Sequence, residues 1–379
     1  MTQTKVEAPF VANNFAHFKN LVINGDFRVF QRTESSTAVG NGTYSTADQF
    51  KTNFSNDGAA TTQKHTLSDA DRATTGHPFA WQWDVGTADG TIASNQSAYF
   101  RHFIEAQNCS GLAYGSSAAK TLTLSFWVKS SKTGTYSCTI AKEDSTAYYL
   151  PLEYAISSAD TWEFKTLVVS PTAGSTSLIT GSAGDIAQNN GKGITLYWWL
   201  AAGSDITGGT NNTWGSNGDN LTTTNQVNWL DSTSNNFYIT GIQFEIGDQA
   251  TDFEHLPFDV QLNRCLRYYY DLASTGLISP SAPTYICNCS YWNSGQVFGF
   301  LHFPTVMRTE PTLTTTNASN TFYAYVDGSG DGLDDLVLNS QSNFAGVMVQ
   351  NSTDASGTGG EAGGLYLNSG KICNFSAEL

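Results

Sequence analysis

"TLTLSFWVKSSKTGTYSCTI", residues 121–140, is the stretch on which the fold turns. Leu122, Leu124, Phe126 and Val128 recur at every second position, the period of a strand with one buried face. Beyond a turn containing Lys132 and Gly134 the strand pattern resumes, which predicts a β-hairpin. "FAWQWDV" (79–85) repeats the period, with Phe79, Trp81, Trp83 and Val85 on one face and Ala80, Gln82 and Asp84 on the other. "WEFKTLVVS", "GITLYWWLAAGS" and "NFYITGIQFEIG" are further strands, and "VFGFLHFP", "TFYAYV", "FAGVMVQ" and "GLYLNSGKICNF" form a second series near the end of the chain.

One segment breaks this pattern. In "FDVQLNRCLRYYYDL" (258–272) the residues Phe258, Leu262, Cys265, Tyr269 and Leu272 are spaced four, three, four and three apart, which sets them on one stripe of an α-helix. A chain of 379 residues exceeds the usual size of a single core. The predicted organisation is all-β: an arm over 1–19, an antiparallel jelly-roll β-sandwich over 20–257, a short helical connector over 258–275 and a smaller C-terminal β-sandwich domain over 276–379. The polar loop over 202–228 is of a length that is usually either functional or disordered.

Composition excludes several function classes. Charged residues make up 13% of the chain and the net charge is -15, with no run of Lys and Arg, so nucleic acid is not an expected partner. No apolar run reaches the length of a membrane span and residues 1–18 lack the pattern of a signal peptide, so no membrane insertion and assembly in a cytoplasm are expected. The six cysteines are read as thiols, with Cys287 and Cys289 as buried strand residues, since "ICNCSY" has no second pair to complete a zinc site. Neither a GxSxG elbow nor an HExxH or phosphate-cradling motif occurs, so no catalytic residue is assigned and the protein is expected not to be an enzyme.

Acidic motifs are read conservatively. "DGSGDG" (327–332) begins like a calcium loop but has Leu338 where the twelfth position needs Glu, so it is read as a turn between strands. No cofactor is assigned; a structural calcium, if bound, would draw on Asp26, Asp48 and Glu245. Glu143 with Asp144, and Asp334 with Asp335, are read as solvated turn charges rather than as the paired carboxylates of a glycosidase.

Aromatic parity is more informative. In "GITLYWWLAAG" Ile194, Leu196, Trp198 and Leu200 share one face and Tyr197 and Trp199 share the other. Trp127 likewise lies opposite the Leu122–Val128 series. A sandwich has one inner face per sheet, so Trp127, Tyr197 and Trp199 are expected on outer surfaces. There they would stack on sugar rings, with Trp214 of the long loop as a fourth contact, or pack under loops or against another subunit.

"NLVINGDFRVFQR" with "YSTADQF", "LTLSFWVKSSKTGTYS", the run "VNWLDSTSNNFYITGIQFEIGDQATDFEHLPFDVQLNRCLRYYYDL" and the terminal "FPTVMRTEPTLT" with "SAEL" together resemble a family of bacteriophage virion proteins, the tail fiber or phage structural proteins. The resemblance covers nearly all of residues 20–379 and is most specific from Gly241 to Tyr270. It implies a first domain like a carbohydrate-binding-module jelly roll, adhesion to host-surface polysaccharide, a homotrimer, and attachment to other tail or capsid proteins of the virion through the N-terminal residues. The stripe Phe258, Leu262, Cys265, Tyr269 and Leu272 would then be either a short trimer seam or a face packed on its own chain. No shaft repeat occurs, which points to a short appendage. Three roles follow: a receptor-binding fiber, a structural virion protein of capsid or tail, and a glycan depolymerase.

Overall fold

Period-two alternation of apolar residues needs a second apolar surface to cover it, and the chain meets that need by facing one sheet with another. A computed structural model describes residues 18–37, 39–272, 283–340 and 342–379. The first region contains β1 (Ser35–Ser36), β2 (Phe50–Ser55), β3 (Ala59–Thr66), β4 (Phe79–Thr87), β5 (Ser97–Glu105), β6 (Leu122–Ser130), β7 (Gly134–Lys142), β8 (Tyr148–Ile156), β9 (Glu163–Val169), β10 (Lys192–Ala202) and β11 (Asn236–Ile246). They form a six-stranded sheet, β1-β3-β4-β11-β6-β9, and a five-stranded sheet, β2-β5-β10-β7-β8, antiparallel throughout. Trp81, Trp83, Leu124 and Phe126 of one sheet meet Phe100, Ile140, Leu150 and Trp198 of the other in one buried core. Phe100 stacks on Trp198 at 5.3 Å with the rings 11° apart. This is the expected jelly-roll β-sandwich.

The expected hairpin is corrected. Strand β6 pairs with β9 and β11, whereas β7 pairs with β8 and β10 in the facing sheet. The link between them therefore arches over the end of the core. It lacks the Asn-Gly or Asp-Gly pair that favours a tight hairpin. Ser131 is instead tied to the start of β11 through Asn236, at 3.0 and 3.1 Å, and the Tyr136 hydroxyl donates to the Lys132 carbonyl at 2.8 Å.

Helical content also differs from expectation. A helix absent from the sequence reading, α1 (Asp69–Thr75), starts at Ser68, whose hydroxyl accepts from the Asp71 amide, and stops at Gly76 with φ of 79°. The expected connector shortens to α2 (Phe258–Leu266), because Tyr269–Asp271 leaves the helix to pair as a strand with Cys373–Ser376. The five-residue stripe is thereby divided. Leu262 and Cys265 pack with Ile23, Val29 and Tyr268, Tyr269 is buried, Leu272 enters the second core, and Phe258 stays exposed beside Arg28. Cys265, Tyr269 and Leu272 are covered by their own chain and supply no seam for other copies.

The second region thus starts inside the stretch expected to be connector. Its strands are β12 (Tyr269–Asp271), β13 (Thr284–Asn293), β14 (Gln296–His302), β15 (Thr312–Thr315), β16 (Phe322–Val326), β17 (Ser329–Leu333), β18 (Val337–Leu338), β19 (Gly346–Asn351), β20 (Ala362–Leu367) and β21 (Cys373–Ser376). A seven-stranded sheet, β17-β16-β20-β13-β14-β19-β18, and a three-stranded one, β12-β21-β15, enclose Tyr291, Leu301, Phe322, Val347, Leu365 and Phe375. The "DGSGDG" motif is a turn, as expected: Asp327 and Gly328 both have positive φ and join β16 to β17 in a two-residue hairpin. All six cysteines are buried and free, including Cys287 and Cys289 on β13.

The regions are clamped together by polar contacts. Arg267 joins the two, donating to Glu105 at the end of β5 at 2.8 and 3.0 Å and to the Val306 carbonyl at 3.1 Å, while the Tyr268 hydroxyl donates to Glu105 at 2.9 Å. Arg308 exchanges hydrogen bonds with Asn190, each 2.8 Å. Arg32 bonds Glu378 at 2.7 Å, lies 3.8 Å from Asp48 and stacks 3.6 Å over Tyr269. Two buried carboxylates share this one guanidinium, and burial, which Arg32 only partly offsets, pushes the Glu378 carboxyl up to about 7. A carboxyl raised on folding favours the folded state most while both forms hold their proton. Stability is expected to fall as pH rises from about 4.5 to about 7, by about 3 kcal/mol at most from this group, and to level off above. Glu378→Gln should flatten that part of the pH–stability curve; a curve of unchanged slope in urea titrations would refute the assignment.

Candidate functional site

The outer face of the five-stranded sheet carries the densest group of rings and charges. Its register sets Tyr99 beside Trp199, and Tyr197 between Arg101 and Thr139. Tyr99 and Trp199 are 4.4 Å apart, and Tyr197 stacks on Trp199 at 5.9 Å with 11° between the planes. Glu143 orders this patch by accepting from the Thr195 hydroxyl at 2.7 Å and the Tyr197 hydroxyl at 2.8 Å. Burial and then this carboxylate push the Tyr197 phenol well above its ordinary range, so it remains a donor. Tyr149 on β8 flanks the patch and is half-buried, as are Tyr99 and Arg101.

Arg101 lies among three rings, 5.0 Å from Phe103, 5.7 Å from Tyr197 and 5.8 Å from Tyr99. Its Nη1 reaches the Tyr197 oxygen only at 3.5 Å, and its Nε has no partner among the described residues. That Nε is itself buried, so ring edges beside this half-buried guanidinium can stack against a sugar and donate to its oxygens only through the Nη groups. Tyr99 and Arg101 are absent from the candidates read from sequence. Their signal was present in "SAYFRHFIE" (97–105), where Tyr99, Arg101 and Phe103 alternate with Ala98, Phe100 and His102.

The four expected contacts do not converge. Tyr197 and Trp199 have the predicted outer parity but are 5% and 1% exposed, because Ile206 and Leu221 of the loop over 203–228 close over them. Trp214 is buried in the sandwich core and donates to the Ser170 carbonyl at 2.8 Å, pinning that loop down. Trp127 lies on the outer face of the other sheet, half-buried, with its ring 5.2 Å from Phe164. As placed, Trp199 and Trp214 support the loop and the core and offer no ring face to a ligand.

A second aromatic surface covers the seven-stranded sheet. Tyr323, Tyr366 and Tyr285 stand side by side on β16, β20 and β13, with exposed Tyr325, Trp292 and Phe300 around them. The Tyr325 ring lies over Gly330 and the Phe300 ring over Gly346, where an added Cβ would come within 2.8 and 2.9 Å of ring carbons. Glycine here leaves room for the rings to lie flat on the sheet.

Among the described residues no group of three or more His, Cys, Asp or Glu is placed to hold a metal ion. Asp48 is engaged by Gln31, Glu245 by Thr251 and Gln243, and Asp26 lies 3.9 Å from Arg28, so the three carboxylates considered for calcium do not meet. No described helix is long and apolar enough to cross a membrane.

No protein-family model matches the chain, and no curated protein matches it. Among solved structures, a candidate sugar-binding protein from Bacteroides thetaiotaomicron is 14% identical over 60% of this chain and 100% of its own, with a TM-score of 0.31. The family 11 carbohydrate-binding module of a cellulosomal cellulase from Clostridium thermocellum is 11% identical over 58% and 98%, at 0.27. The enzymatically active domain of tailspike protein 4 from bacteriophage CBA120 is 13% identical over 60% and 22%, at 0.28. With scores of this size the fold rests on the strand order and cores described above.

Proposed function

We propose that this chain is a non-enzymatic virion adhesin, a short tail fiber that holds host-surface glycan on the outer face of its five-stranded sheet. The observation that carries the reading is the pair of half-buried rings Tyr99 and Tyr149 on one sheet face, with the half-buried Arg101 guanidinium 5.8 Å from Tyr99. Rings supply stacking area, and the guanidinium supplies hydrogen-bond donors. The virion setting draws on the resemblance of the ordered sequence segments to those of phage structural proteins. In this reading residues 1–19 dock to the particle; of these, residues 1–17 lie outside the described residues. Homotrimer formation would multiply weak sugar contacts.

A second reading is favoured by the seven-stranded sheet. Its flat exposed rings and low charge suit contact with another copy or a neighbouring virion protein, as in a capsid or tail component without sugar binding. One experiment separates the two. Tyr99→Ala and Tyr149→Ala should each weaken retention on host cells or their polysaccharide about tenfold while leaving assembly intact. Retention unchanged in both variants would favour the assembly role, and release of reducing ends from the polysaccharide would make the protein a depolymerase.

A further inference from the structure

Lys51, Arg101 and Lys192 gather around one ring on this same face. Their charged groups are 5.8, 5.0 and 4.5 Å from the Phe103 centroid, and Phe103 itself is buried. The chain has 33 acidic against 18 basic residues, yet none of these three is within ion-pair distance of an Asp or Glu side chain among the described residues. The acids nearby are otherwise engaged. Glu105, opposite Lys192 in register, is taken by Arg267 and Tyr268; Glu143 is taken by Thr195 and Tyr197; Glu378 is taken by Arg32. Lys51 reaches the Leu379 oxygen at 3.5 Å, and that oxygen already accepts from the Tyr44 hydroxyl at 2.9 Å.

We infer that this trio recognises an oxyanion carried on a sugar, so that the glycan bound by this face is acidic. The inference rests on the sugar-binding reading above and adds the class of ligand. Like charges held together over an apolar floor repel one another, and an anion entering between them relieves that repulsion. The cost is visible at Lys51: burial lowers its pKa, and Arg101 and Lys192 lower it further, against a smaller opposing pull from Glu378. Half-buried Tyr99, on the strand that carries Arg101, continues the surface away from the charges toward the rest of the sugar chain. A carboxylate and a sulfate both satisfy this geometry, with Arg101 able to give two parallel hydrogen bonds to either.

The test uses the full chain against immobilised polygalacturonate and its carboxyl-reduced counterpart, and against chondroitin sulfate and its desulfated form. A chain of net charge -15 is repelled by polyanions unless a local site captures them. Binding to an acidic polymer, weakened at least tenfold by removing its charge, by Lys192→Gln or by Lys51→Gln, is the expected result, and whichever polymer binds identifies the oxyanion. Both lysines are part-exposed, so thermal melts should show the variants folded. Equal binding of charged and neutral forms by wild type and variants overturns the inference and leaves the adhesin reading standing. No binding to any of the four also overturns the inference; the adhesin reading falls with it only if Tyr99→Ala leaves cell retention unchanged.

Discussion

Arg267→Met should destabilise the folded chain by about 3–5 kcal/mol, because it strands a buried carboxylate. Glu105 has a side chain only 1% exposed and takes two charge-assisted hydrogen bonds from Arg267. Without them the carboxylate keeps the Tyr268 hydroxyl at 2.9 Å and the Gln107 amide at 3.2 Å. Those two donors cannot replace the lost counter-charge. Arg267 also donates to the Val306 carbonyl at 3.1 Å, so the change loosens the second region from the first. Calorimetry should show a lower midpoint and a transition that separates into two. Adding Glu105→Gln to the variant removes the stranded charge and should recover most of the loss. No recovery in the double variant would mean that Arg267 acts through the packing of its stem.

Such a contact was beyond reach of sequence, since Glu105 and Arg267 are 162 positions apart in a chain of many acids and bases. What could be read were features whose cause is local. The Asp327–Gly328 turn needs two positive φ angles, which those residue types allow, and the alternation of Trp81, Trp83 and Val85 needs only one apolar neighbour sheet. Pairing is not local. Residues 121–140 gave the right strands and the wrong partner, because period two is the same in a hairpin and in an arch between sheets. The helix over 258–272 ended early because an open edge at Cys373–Ser376, about a hundred residues on, offered Tyr269–Asp271 a full ladder. At the candidate site parity was correct for Tyr197 and Trp199, and exposure was not, since a loop that returns over its own sheet leaves no periodic trace.

That loop makes Trp199→Ala a different experiment from the deletion of a sugar contact. Trp199 is fully enclosed, and replacing it should cost about 3–5 kcal/mol through lost burial and the cavity left behind. Its indole Nε1 donates to the Thr139 hydroxyl at 2.8 Å, and that hydroxyl donates to the Leu221 carbonyl in the loop. Gln226 reinforces the closure: its side chain donates to the Trp199 carbonyl at 3.3 Å and accepts from the Ser137 amide at 2.8 Å. The tryptophan therefore joins three things: the stack with Tyr99 and Tyr197, the strand below it and the loop above it. Removing it should free residues 203–228, seen as cleavage there in limited proteolysis well below the melting temperature. Any fall in glycan retention would follow from disorder of Tyr99 and Tyr197. Trp199→Phe keeps a ring in the stack and loses the hydrogen bond, so it should cost about 1 kcal/mol with the loop still closed. If the alanine variant melts like wild type and its loop resists protease, Ile206 and Leu221 hold the loop without it.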